Sequence, residues 1–125
     1  IAADSVNIIA LFAKSTILLA QKDYDNCISL CDKIISLDNN HAEAYLNASL
    51  AYFNQAVKID NSKNRSREKR SQMIALYRKA LPYMLTYRKR APDAKEQWAM
   101  PLYTIYLNLN MGKEFDEVDA IVKSM

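Results

Sequence analysis

Cys27 and Cys31 are the only cysteines of the chain and His41 its only histidine, so any thiol or metal chemistry must start from these three residues. A spacing of four places the two cysteines one turn apart on one face of a helix, a poor geometry for a disulfide. A closed zinc site takes four ligands, and this set would need carboxylates or another chain to complete it. The pair is therefore read as two small core residues, as free cysteine usually is, and no metal ion or other cofactor is expected. Acid–base catalysis needs titratable groups gathered in a pocket, and nucleophilic catalysis needs a base beside the nucleophile. The sequence has no zinc-protease helix motif and no glycine-rich phosphate loop. Acidic pairs such as Glu114 and Glu117 read as exposed helix charge, and no catalytic residue is assigned.

The densest charge lies between Lys58 and Arg90, where eleven basic residues stand against Asp60 and Glu68. That segment carries +9, and since the whole chain carries +3, the remainder carries −6. A stripe of this kind can track phosphates through Arg65, Arg67, Arg70, Arg78, Arg88 and Arg90, with Tyr77, Tyr83 and Tyr87 as stacking surfaces. The preferred reading is plainer. Lysine and arginine coat the solvent side of long helices, and the three tyrosines fall at core spacing. Nucleic acid is thus the alternative partner. An acidic patch on a neighbouring subunit, such as Glu114, Asp116, Glu117 and Asp119, would satisfy the same charges.

The elements that would position these residues are all helical. The chain has 125 residues, a single-domain length, and half of them are apolar, enough for a packed core. Gly112 is the one glycine, while strong helix formers abound. The greasiest segment, Ile8 to Ala20, is interrupted by Lys14, Ser15 and Thr16 and is too short to span a bilayer, which takes roughly 20 apolar residues, so no membrane span is expected. The start at Ile1, without an initiator Met, reads as a processed or excised piece.

Apolar periodicity predicts six helices. The first runs from a cap near Asp4 to Ala20, and the second from Asp23 to near Leu37 on the stripe Tyr24, Cys27, Ile28, Cys31, Ile34 and Ile35. Asn40 with Glu43 forms a candidate capping box for the third, with His41 in a solvent-facing first turn, and Asp60 to Asn64 ends it. The fourth begins at Ser66 or Ser71 and continues to about Arg90, with Pro82 predicting a bend near Ala80. Asp93 with Glu96 is a second candidate box, opening a fifth helix to Asn110. Gly112 is the expected stop before a short sixth helix with Phe115, Val118, Ile121 and Val122 inside.

The pattern repeats at close to thirty-four residues, the signature of stacked helical hairpins. Ala42 to Gln55 resembles the first helix of a tetratricopeptide repeat. Tyr45 stands at the large aromatic position, Ala48 and Ser49 at the two small ones, and Tyr52 at the aromatic one turn beyond. Small residues there let paired helices approach, and the tyrosines fill the space between successive pairs. The resemblance implies an all-α superhelix of about three hairpins in one domain, with repeats near 8–41, 42–94 and 95–125. Nineteen additional residues near 57–75 lengthen the second hairpin. Phe115 arrives four residues late, which one extra helical turn would explain. The tail from Arg90 to Asp119 also resembles the ends of repeat proteins common in bacteria.

In that family the first helix of each pair lines a concave groove. The resemblance therefore implies a non-catalytic protein-interaction module or scaffold with an apolar and aromatic groove of Phe12, Leu46, Leu50, Phe53, Tyr103 and Tyr106, extended by Ile9 and Leu107. Such a surface is usually covered by a helix, a peptide, the remainder of the chain or a second copy forming a homodimer. Asn47 matches one position of a carboxylate clamp known in some members, but Phe12, Thr16, Glu96 and Met100 replace its other residues. Free thiols fit a reducing cytosol and the bacterial resemblance fits export, so the compartment stays open.

Overall fold

The computed structural model describes residues 2–63 and 66–125, with side chains from Asn7 onward. The chain is all-α, with helices α1 (Ala2–Ala20), α2 (Tyr24–Leu37), α3 (Ala42–Asp60), α4 (Arg67–Arg90), α5 (Lys95–Asn108) and α6 (Gly112–Ser124). No strand occurs among the described residues. Each helix packs on the next in sequence, and α1 also touches α3. α3 has 19 residues and α4 has 24, against 14 in α2, so the middle hairpin is the long one.

Three helix starts differ from expectation. α1 is already running at Ala2, which places Asp4 inside the helix. α3 is capped by His41, whose Nδ1 accepts the Ala44 N–H at 3.2 Å, and Asn40 plays no part. α5 starts after Ala94 without a side-chain cap, so the Asp93–Glu96 box does not form. α4 starts at Ser66, whose Oγ accepts the Lys69 N–H at 3.2 Å, the pattern of an N-cap.

The first and third hairpins close in the same way. Lys22 and Asn110 hold left-handed φ angles of 64° and 56°. The Asp23 N–H donates to the Leu18 carbonyl at 2.9 Å, and the Met111 N–H donates to the Tyr106 carbonyl at 3.0 Å. Both are the wide bond of a Schellman turn. Asn110 therefore supplies the left-handed residue expected of Gly112, and Gly112 instead opens α6. Asparagine tolerates that conformation better than most residues. The extra turn in α5 is also ruled out, since Trp98 to Asn110 is only one residue longer than Leu11 to Lys22. Phe115 is late because it sits a turn inside α6, where its ring meets Tyr103 at 4.7 Å.

The small residues of α3 let its neighbours approach closely. Ala44, Ala48, Ser49, Ala51 and Ala56 are all fully buried. Ala48 and Ala51 share a cluster with Cys27, Ile28 and Cys31 of α2, and the Ser49 Oγ donates to the Ala80 carbonyl of α4 at 2.9 Å. Donation of the Cys31 S–H to the Cys27 sulfur, together with burial, pushes the Cys31 thiol well up, so it stays protonated. α4 passes through Pro82 without restarting. The carbonyl deprived of its donor is that of Arg78, and both residues are exposed, so water can take the place of the missing N–H.

Tyr77 is fully buried against Phe53, ring to ring at 5.7 Å, and its hydroxyl finds no partner among the described residues. Burial pushes its pKa up to about 12. Tyr77→Phe removes an unsatisfied group and is expected to raise stability by about 1 kcal/mol in urea titrations. A folded-state pKa above the unfolded one stabilises fully below about pH 10 and progressively less as pH rises through the folded value. The alkaline loss of stability between those values should therefore be smaller in Tyr77→Phe.

Candidate docking face and basic edge

Helices α1 and α3 are joined by short polar side chains. Asn47 of α3, 7% exposed, donates from Nδ2 to Ser15 Oγ at 3.2 Å and to Thr16 Oγ1 at 3.1 Å on α1. Both hydroxyls donate in turn to the Phe12 carbonyl, at 2.7 and 3.2 Å. Asn47, the match to the carboxylate clamp, thus serves a helix–helix contact. Phe12 is half-buried, with its ring 5.1 Å from that of His41. His41 is consequently a cap packed on another helix, where the sequence suggested a solvent-facing residue.

Leu46, Leu50 and Tyr103 lie half-buried against one cluster that spans α4, α5 and α6 and includes Met84, Trp98, Ala99 and Leu102. Phe53 packs on the neighbouring cluster that holds Tyr77 and Ile105. Tyr106 borders a small hollow of about 210 Å³ with Leu107, Met111 and Phe115, and little of the tyrosine is open. It is 4% exposed and belongs to the core, and burial pushes its hydroxyl pKa up. Helix α5 is apolar on several faces, so periodicity did not reveal which one is inside. Ile9 on α1 and Leu107 on α5 are the more open apolar residues, at 68% and 55% exposed.

Longer side chains bridge the even-numbered helices. The Tyr83 hydroxyl donates to Asp32 Oδ1 at 2.7 Å, linking α4 to α2. Arg88 grips Glu117 of α6 with two hydrogen bonds of 3.0 and 2.8 Å and lies 4.3 Å over the Trp98 ring. Arg90 donates to Asn40 Oδ1 at 3.1 Å and stands 5.6 Å over the Tyr45 ring. Arg88 is therefore engaged between Glu117 and Trp98, while Arg90 stays exposed beside Asn40 and Tyr45. Arg67, Arg70 and Arg78 are exposed around a hollow of about 330 Å³ shared with Ile74, and Arg65 lies outside the described residues. Tyr77 and Tyr87 are buried, while Tyr83 stacks on Tyr52 at 5.9 Å, so the interleaved tyrosines serve packing.

The Arg88 guanidinium holds the Glu117 carboxyl below its usual pKa. A depressed folded pKa stabilises above the unfolded value and is lost as pH falls through the folded one. The carboxylate is 55% exposed, which keeps the pair's contribution below about 1 kcal/mol. Glu117→Gln should melt slightly below wild type at pH 7 and together with it near pH 2. Comparisons of the chain with protein-family models, with curated proteins and with solved structures find no match.

Proposed function

We propose that the chain is a tetratricopeptide-like, non-catalytic interaction module that binds a peptide or helix of another protein along α1, α3 and α5. The observation that carries this reading is where the open apolar side chains fall. Of the large apolar residues more than half exposed, four, Ile9, Ile17, Met100 and Leu107, lie on α1 or α5, and the other two, Leu37 and Met125, stand at the end of α2 and at the C-terminus. Between those helices Leu46, Leu50 and Phe53 present a half-buried apolar row on α3. Apolar surface gathered in this way usually marks a docking face, and an amphipathic helix is a common occupant. The bridging contacts support the same reading. Short residues join α1 to α3, and long ones join α2 to α4 and α4 to α6, which favours a stack curved toward the odd-numbered helices.

The test substitutes the open positions, since Leu50 and Tyr103 also support the core. Ile9→Glu with Leu107→Glu should keep the helical circular dichroism and weaken capture of a protein partner about tenfold or more. Unchanged capture would remove this face from consideration. Retained capture by the double variant, with loss in Arg67→Glu and Arg70→Glu and a steep salt dependence on a generic oligonucleotide, would support the nucleic-acid alternative.

A further inference from the structure

Beyond the odd-helix face, the geometry points to a second binding site, for an acidic peptide segment carrying a large apolar residue, where the long α3–α4 hairpin overhangs the α1–α2 turn. A hollow of about 540 Å³ opens there, with Lys22 and Tyr24 at its corner and Lys58, Ile59, Gln72 and Leu76 among its walls. That volume suits a side chain with its flanking backbone. The far end of the middle hairpin walls the hollow, with Ile59 on α3 and Leu76 on α4. Both remain half-buried, giving an aliphatic surface.

Charge selects the occupant. The lining includes two lysines and no carboxylate, and Lys22 and Lys58 are both exposed. Along α4 the hollow adjoins the one ringed by Arg67, Arg70 and Arg78, with Ala75 shared between them. An acidic peptide can place carboxylates on Lys22 and Lys58, an apolar side chain on Ile59 and Leu76, and further acidic residues on the arginines. A nucleic-acid strand would meet the same charge, but the aliphatic walls offer it little to stack on.

Lys22 supplies an independent sign. It occupies the left-handed position of the Schellman turn, where glycine fits without strain and a lysine side chain brings a conformational cost. That cost is borne at the one turn whose side chain lines the hollow. Lys22→Gly should therefore raise the melting temperature by about 2–5 °C while weakening the ligand, opposite changes that a purely structural residue would not show.

The direct experiment selects twelve-residue peptides from a random display library on the intact chain. Enriched sequences should combine several Asp or Glu with a large apolar residue. They should bind Lys58→Glu about tenfold more weakly and Lys22→Gly about threefold more weakly, and bind the Ile9→Glu, Leu107→Glu variant as they bind wild type. That last comparison separates this site from the proposed odd-helix face. Enrichment without acidic residues, equal binding to Lys58→Glu, or displacement by a single-stranded oligonucleotide that binds more tightly than the peptides would overturn the assignment.

Discussion

Trp98→Ala is expected to destabilise the protein by about 3–5 kcal/mol, the range for removing a large buried aromatic side chain. Trp98 is 2% exposed and shares its cluster with Met84, Tyr87, Leu102, Tyr106 and Val118, drawn from α4, α5 and α6. Its indole N–H donates to the Ala91 carbonyl at 3.2 Å, and Arg88 covers its face. The substitution thus empties a cavity, frees a carbonyl at the α4–α5 turn and uncovers the guanidinium that holds Glu117. Urea denaturation followed by circular dichroism is the appropriate measure, because Trp98 is the only tryptophan and its fluorescence disappears with it. Trp98→Phe keeps most of the packing and should cost roughly half as much. A Trp98→Ala midpoint equal to wild type would show that this end of the chain is not packed as described.

Ala48→Trp should destabilise by about 1–3 kcal/mol or more through overpacking. Ala48 has no exposed surface and lies in the cluster of Cys27, Ile28 and Cys31, with Tyr52 and Tyr83 against it. An indole there must displace α2 from α3, and Asn47 beside it would lose its alignment with Ser15 and Thr16. Ala120→Trp, at an exposed site on α6, serves as the control and should stay within about 0.5 kcal/mol. Equal melting of both variants would place Ala48 outside the interior.

The residues that could be read correctly were those whose local pattern and tertiary setting agree. The α2 stripe is apolar at helical spacing and is buried as that spacing implies, at Cys27, Ile28, Cys31 and Ile34. Ser66 is followed by a clear helical run and caps it. Where several local solutions compete, packing decides. Asn40 and His41 can both cap α3, and the contact of His41 with Phe12, a residue from another helix, accompanies the cap that forms. Asn110 and Gly112 can both end α5, and the chain turns at the first of them. Arg88 looked available on its own helix because its partner Glu117 lies 29 residues away, and Tyr106 because α5 is apolar on several faces. The hollow beside Lys22 carries no motif at all, since three separated segments form it.

Site-specific photocrosslinking tests the docking face most directly. A benzophenone side chain placed in turn at Ile9 and Leu107 reports on α1 and α5, and one at Ser29 and Leu85 reports on α2 and α4, all at exposed positions. The account predicts that a bound protein partner is trapped from positions 9 and 107 and not from 29 or 85. Trapping from 29 and 85 with none from 9 and 107 would contradict it.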